Sequence, residues 1–195
     1  MKRPSPPIQS REVGPDPTER VLRLPAALLS LVRLAVREEV GDLSAARILQ
    51  SAGSAFGEIL LPEFLLDLEA QGTRNPRDLD EAHFWFALNR FLGERGWGQL
   101  QADRVHPGLA VLYAHSWAEG SLQGNEGQPG CHFTAGLLSY FLSHLAGGPI
   151  VVLEAECVSA GDGCCTFLFG SEGTVTQTYE LLLEGIPLNE VIVRL

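Results

Sequence analysis

The segment VLEAECVSAGDGCCTFLFG (residues 152–170) contains three of the four cysteines of the chain. Two runs rich in apolar and β-branched residues flank SAGDG, whose glycines and aspartate favour a tight turn. The segment therefore predicts a β-hairpin. Strict alternation along its first strand places Glu154 and Cys157 on opposite faces, so a bulge or the strand end must re-aim one of them. Cys165 follows the turn and can return beside Cys157.

The composition is that of a globular protein. The chain has 195 residues, of which 45% are hydrophobic and 19% charged, enough for one domain with a sizeable core. The net charge of −10 argues against nucleic-acid binding, which needs clustered Lys and Arg. Apolar stretches such as LPAALLSLV are about half the ~20 residues that span a bilayer, and the start lacks a secretory h-region. We therefore expect a cytoplasmic protein without a membrane span, in which clustered cysteines are metal ligands or reactive thiols.

The pattern along the chain predicts an arm followed by one domain. Residues 1–24 carry five prolines and little periodic apolarity, which predicts a flexible N-terminal arm, with the domain over residues 25–195. Helical periodicity runs through 25–41, 42–72 and 79–95; strands are predicted at 98–105 and 109–120, a helix at 131–148, the hairpin, and a last helix at 172–185. Helices followed by strands with one helix between them predict an α+β fold, with an antiparallel sheet packed against helices.

Two local features predict close contacts. Gly53 and Gly57 lie on one face of a helix although glycine costs about 1 kcal/mol there relative to alanine, which indicates either close approach of a neighbour or ligand, or a flexible bend. The consecutive aromatics Phe84, Trp85 and Phe86 cannot all face one side of a helix. At least one of them should meet solvent, a partner or a cavity.

The cysteines also suggest a metal site. Cys131 opens a predicted helix, where exposed backbone N–H groups and the helix dipole favour a thiolate. Thiolates with one carboxylate suit tetrahedral zinc. Buried, unreactive cysteines are the alternative, because the spacing is not a paired CxxC motif.

The C-terminal half resembles a known family. In PGCHFTAGLLSYFLSHLAGGPIVVLEAECVSAGDGCCTFLFG (residues 129–170), Cys-His opens a glycine-containing helix, and Glu-x-x-Cys, a glycine turn and Cys-x-Phe follow. This pattern resembles the 4-vinyl reductase domain family, and LQSAGSAFGEIL and GERGWGQLQ resemble its upstream helix and strand entry more weakly. The resemblance covers roughly residues 28–185.

The resemblance implies a fold, a metal and a function. The family includes sensory domains of aromatic-responsive sigma-54 activators, and its fold is similar to the small subunits of the TRAPP tethering complex. In the aromatic sensors a cysteine, a glutamate and two further cysteines bind zinc. The matching positions are Cys131, Glu154, Cys157 and Cys165, with steps of 23, 3 and 8 residues.

Two neighbours of these positions are weighed separately. Cys164 is an extra thiol that could replace Cys165, although alternation along CCTFLF puts the two on opposite faces and the Cys-x-Phe motif favours Cys165. His132 points about 100° away from Cys131 on a helix, which favours a core or surface role over metal ligation.

The function hypotheses follow from the remaining residues. The chain has no GxGxxG after a strand and no flavin signature, and its histidines are scattered, which favours a non-catalytic protein. The resemblance implies a sensory domain for a hydrophobic ligand, aromatic or tetrapyrrole-like. Trp85, Tyr113 and Trp117 are predicted to line its pocket because each offers a polar group on an apolar wall. The alternative is a scaffold forming TRAPP-like homodimers or heteromers through the first helix, LLSLVRLAV. Any sensed signal would leave through a partner regulatory protein.

Overall fold

The computed structural model describes residues 23–120 and 128–195. The predicted N-terminal arm lies outside the described residues except for its last two. None of the helices in the described ranges combines the length and the apolar character that a membrane span requires.

The order of elements confirms the predicted α+β class. The elements are α1 (Ala27–Val40), α2 (Asp42–Ala70), α3 (Glu81–Glu94), β1 (Gln99–His106), β2 (Leu109–His115), α4 (His132–Ala146), β3 (Val151–Glu156), β4 (Cys165–Gly170), α5 (Glu172–Leu183) and α6 (Leu188–Arg194). One-turn 3-10 helices cover Pro76–Asp78 and Val158–Ala160. The short helix α6 was not predicted from the sequence.

The strands form one antiparallel sheet in the order β1-β2-β4-β3. The extended run predicted to reach Gly120 ends at His115, because Ser116 adopts a left-handed φ of 50°. The chain then turns back, and the N–H of Ala118 donates to the carbonyl of Trp97 at 2.8 Å. Residues 117–120 therefore lie beside α4 instead of extending the sheet edge.

Helices cover both faces of the sheet. One face packs with α2, α3 and α4 around buried side chains that include Phe64, Phe91 and Phe141. The other face is covered by α5 and α6 over a smaller core of Leu109, Val111, Leu168 and Val175. Successive side chains of a strand point to opposite faces, so β2 contributes apolar residues to both layers.

The glycines of α2 allow a close approach to α4. A Cβ on Gly53 would collide with the carbonyl oxygen of Phe133, and one on Gly57 would lie 2.9 Å from the Cβ of Tyr140. Gly136 of α4 has the same relation to the carbonyl oxygen of Gln50. The predicted close approach is therefore confirmed, and the neighbour is a helix.

Candidate metal centre and ligand cavity

Four side chains from three elements converge beside the N-terminus of α4. Cys131 is the N-cap residue of α4, Glu154 lies in β3, Cys157 follows that strand, and Cys165 is the first residue of β4. All four are buried, and their donor atoms lie within 4.8 Å of one another. The structure thus brings together the four residues that the sequence singled out as metal ligands.

A β-bulge brings Glu154 and Cys157 to the same face. In the pairing of β3 with β4, Glu154 faces Phe167 and Glu156 faces Thr166, which leaves Ala155 as the extra residue. Consequently Cys157 joins the α4-side core, whereas Ala155 packs toward α5 and α6. This is the re-aiming that strict alternation required.

The donor set fits a tetrahedral metal ion. The sulfur of Cys131 lies 3.6 Å from that of Cys157 and 3.7 Å from that of Cys165, and the last two are 3.7 Å apart. A tetrahedron with metal–sulfur bonds of about 2.3 Å has edges of about 3.8 Å. The Oε2 atom of Glu154 accepts from the N–H of Cys131 at 2.6 Å, but its buried Oε1 atom has no hydrogen-bond partner. A cation is the partner that this oxygen lacks.

The electrostatics of the cluster point the same way. The Cys131 and Cys165 thiols and the Ser159 hydroxyl hydrogen-bond to Cys157 and lower the pKa of its thiol. Burial, followed by the charge on Cys157, raises the pKa of Glu154 well above its usual value. Several adjacent anions are unfavourable in a buried site unless a cation balances them.

The two neighbouring candidates lie outside the cluster. Cys164 is half-buried, and its sulfur is 3.7 Å from the Oγ1 atom of Thr166, on the opposite side of the strand from Cys165. His132 is not a member of the cluster, and burial with the nearby charge of Arg33 lowers the pKa of its imidazole.

Glu119 is a functional candidate that sequence reasoning missed. Its buried carboxylate accepts from the N–H of Phe133 at 3.0 Å, and from the N–H and the hydroxyl of Thr134 at 2.7 Å each. It therefore satisfies exposed donors at the N-terminus of α4, where a negative charge also interacts favourably with the helix dipole. Because Glu119 is 13 residues before that helix, no local capping pattern could have identified it.

Helix α1 is held over this region by polar contacts. The hydroxyl of Ser30 donates to the carbonyl of Glu119 at 2.8 Å, and the guanidinium of Arg33 donates to the hydroxyl of Ser159 at 3.4 Å. That hydroxyl is 3.0 Å from the sulfur of Cys157. The cluster is therefore shielded by a helix whose inner face is polar.

Burial of Glu119 predicts a dependence of stability on pH. Burial raises the pKa of this carboxyl to about 7, so the folded state binds the proton more tightly than the unfolded state does. This contribution to the free energy of unfolding is largest at low pH, and it declines by up to about 3 kcal/mol as the pH rises from about 4.5 to about 7. The variant Glu119→Gln should lack this decline.

Chemical denaturation of wild-type protein and Glu119→Gln at pH 5 and pH 8 checks this expectation. The variant keeps all four cluster residues, so the titration of the thiols affects both proteins alike. Parallel stability profiles of the two proteins would show that Glu119 titrates normally.

A cavity of about 510 Å³ lies between α3, the sheet and the C-terminal end of α4. Its apolar wall includes Phe84, Trp85, Leu142, Ile150 and Phe169. The indole of Trp85 packs edge-on against the rings of Phe84 and Phe169, with centroids 5.0 and 5.6 Å apart. The third aromatic of that run, Phe86, points to solvent and is 68% exposed.

The three aromatics predicted to form a pocket are not brought together. Trp85 lines the cavity. Tyr113 lies on the other face of the sheet, among residues packed against α5 and α6. Trp117 is buried, donates to the hydroxyl of Thr134 at 2.8 Å, and packs against Trp97 beside the N-terminal half of α4. Neither Tyr113 nor Trp117 lines the cavity.

The fold and the site define an α+β domain with a buried cluster of three thiols and one carboxyl beside an apolar cavity. Residues 119–171 match the family model of the 4-vinyl reductase domain, and this segment contains all four cluster residues and Glu119. The resemblance to this family that the sequence indicated is thereby confirmed. No curated protein matches the chain in sequence.

Two solved structures share the fold. The first is the phenol-responsive sensory domain of the transcription activator PoxR with phenol, with a TM-score of 0.58 and 17% identity over 78% of this chain and 77% of that one. The second is a vinyl-4-reductase family protein from Methanocaldococcus jannaschii, with a TM-score of 0.50 and 20% identity over 78% of this chain and 84% of that one. At these identities the similarity concerns the fold.

Proposed function

We propose that this protein is a non-catalytic sensory domain that binds a hydrophobic small molecule in the cavity beside Trp85. A structural zinc ion at Cys131, Glu154, Cys157 and Cys165 stabilises the wall of that cavity. The observation that carries the proposal is the apolar cavity between α3, the sheet and α4. The match to the 4-vinyl reductase domain and the likeness to a phenol-responsive domain support it.

The size and lining of the cavity suit a small hydrophobic ligand. Pockets for small molecules are typically about 300–1,000 Å³ and mostly apolar, and a cavity of about 150 Å³ already holds benzene. A volume of about 510 Å³ therefore has room for a substituted aromatic ring or an aliphatic chain. Tetrapyrrole-like ligands remain a class to be tested, because the ring system is much larger than a single aromatic ring.

A few polar groups in the lining can orient the ligand. Arg104 and Glu81 both line the cavity and form an ion pair at 3.0 Å. The Nδ1 atom of His106 accepts from the N–H of Gly108 at 3.3 Å, which leaves the Nε2–H of the neutral imidazole to donate. A hydroxyl or carbonyl oxygen on the ligand is the group that such a donor selects.

The proposed zinc ion has a structural role. Three sulfurs and one carboxylate oxygen fill a tetrahedral site, which leaves no position for a reacting water. When bound, zinc would cross-link the N-terminus of α4 to the hairpin of β3 and β4. Leu142, Leu145 and Ala146 at the other end of α4 line the cavity. Helix α4 therefore connects the two sites, and a reducing compartment such as the cytoplasm would keep the thiols available.

We expect the variant Ala146→Trp to abolish ligand binding. Ala146 is exposed and lines the cavity, so an indole placed there should fill the cavity at little cost in stability. The measurement is a thermal-shift screen of phenols, alkylbenzenes, fatty acids and porphyrins. A ligand at 100 times its dissociation constant should stabilise the wild-type protein by about 2.7 kcal/mol and the variant by almost nothing.

The matched control is Ala70→Trp, which places the same indole at an exposed position near the end of α2. This control should respond to ligand as the wild type does. If no compound class stabilises the wild type, or if Ala146→Trp responds equally, the cavity is not the ligand site and the scaffold alternative gains.

A scaffold is the second candidate function, and one observation favours it. Leu28 and Leu31 on the outer side of α1 are exposed, as expected if the first helix contacts another protein. Native mass spectrometry after organic extraction separates the two functions. A co-purifying small molecule favours the sensor, and an apo dimer favours the scaffold. In both cases we propose that residues 25–195 act as one domain.

A further inference from the structure

Helix α2 exposes a continuous apolar stripe on the side that faces away from α4. At 100° per residue, six exposed positions lie within about 40° of one line along the helix. They are Ile48, Ala52, Ala55, Ile59, Pro62 and Leu66. Ile59 and Leu66 are each 66% exposed. A stripe of this length, about 27 Å, is unusual for a surface that meets only water.

Helix α1, which joins α2 at Gly41, has the reverse of the usual amphipathic arrangement. Its buried residues are Ser30 and Arg33, whereas Leu31 and Val32 are 54% and 43% exposed. An amphipathic helix normally turns its apolar face to the core. In α1 that face points outward, as it does when the helix packs between the body of a domain and a partner.

We propose that the partner is a second copy of this chain. In this homodimer, the two α2 helices pack antiparallel about a two-fold axis near Gly57, and the outward face of α1 adds to the contact. Assembly of this kind does not depend on the ligand proposed above.

The stripe is complementary to itself in the antiparallel orientation. With the axis near residue 57, Ile48 lies opposite the partner's Leu66, and Ala55 lies opposite the partner's Ile59. Bulky side chains therefore meet at the two ends, and a small residue meets a large one on each side of the axis. Such a self-complementary patch is what a two-fold interface requires.

The charges beside the stripe favour the same orientation. Arg47 lies toward the N-terminal end of α2, and Glu58 and Glu69 lie toward its C-terminal end. Within residues 23–120 and 128–195, these three side chains form no ion pair. An antiparallel pair brings Arg47 near the partner's Glu69, whereas a parallel pair would set Arg47 against Arg47 and Glu58 against Glu58.

The available area and the rest of the chain are consistent with a second copy. The stripes of α1 and α2 together expose on the order of 600 Å² of apolar surface, near the roughly 800 Å² per partner of a standard interface. Residues 1–22 are an unsuitable cover, because their sequence has five prolines and only five large apolar residues, Met1, Ile8, Val13, Val21 and Leu22.

Sedimentation velocity of the full-length chain at micromolar concentrations tests the proposal. The wild type should be a dimer, and Ile59→Glu should raise the dimer dissociation constant at least 100-fold, because it places a carboxylate beside its counterpart in an apolar contact. Circular dichroism and metal content should be unchanged, since Ile59 is exposed in the single chain. The control Leu183→Glu changes a side chain of α5 that is 68% exposed and should leave the dimer intact.

A charge exchange tests the orientation. Arg47→Glu and Glu69→Arg should each weaken the dimer about tenfold, and the double variant should recover the wild-type dissociation constant. A wild-type monomer overturns the proposal, as does a monomer that dimerises only when residues 1–22 are removed, which would identify that segment as the cover. A dimer that survives Ile59→Glu, or a double variant that shows no recovery, also overturns it.

Discussion

Replacing Cys157 with serine should release the bound zinc, about one ion per chain, and lower the free energy of unfolding by several kcal/mol. The sulfur of Cys157 lies 3.6 and 3.7 Å from the two other cluster sulfurs, so its loss opens the donor set. Binding energy at a structural metal site is folding energy, because the unfolded chain does not present the ligands together. Metal analysis and chemical denaturation of the purified protein measure the two effects.

The matched control is Cys164→Ser, which changes an adjacent thiol on the opposite side of the strand, outside the cluster. It should retain zinc and lose less than about 1 kcal/mol, as expected for a half-buried substitution. Zinc that stays at full occupancy in Cys157→Ser would eliminate this site. Loss of zinc from Cys164→Ser but not from Cys165→Ser would move the ligand to the neighbouring residue.

The variant Gly53→Ala should destabilise the fold by about 3 kcal/mol or more. The added methyl group would overlap the carbonyl oxygen of Phe133, and backbone cannot rotate away as a side chain can. Helices α2 and α4 would have to separate, which would disturb packing along the most extensive helix contact of the domain. The midpoint of urea denaturation measures the effect.

Gly173→Ala provides the comparison for this helix contact. Gly173 lies near the start of α5, and a Cβ there meets no atom within 4 Å. Because alanine has a higher helix propensity than glycine, this variant should be equal in stability to the wild type or more stable by up to about 1 kcal/mol. Equal effects of the two substitutions would mean that α2 and α4 are not held at this distance.

The two predictions concern opposite sides of the same helix. Cys131 connects the N-terminus of α4 to the proposed metal centre, and Gly136 presses its backbone against Gln50 of α2. The C-terminal end of α4 lines the cavity. A change that loosens either attachment should therefore also weaken binding of the proposed ligand.

Much of this arrangement could be predicted from local patterns. The turn chemistry of SAGDG identified the hairpin, and alternation separated Cys164 from Cys165. Gly53 and Gly57 marked a close helix contact because glycine is otherwise unfavourable in a helix. The resemblance of residues 129–170 to a known family supplied the four cluster residues.

Long-range packing decided the rest. The bulge at Ala155 depends on the pairing of β3 with β4, and Glu119 reaches the N-terminus of α4 only because the chain turns back after Ser116. Tyr113 and Trp117 were separated from the cavity by the face of the sheet and by the position of α4. Periodicity defines which residues of an element share a face, but the partner of that face is set by contacts between residues far apart in the chain.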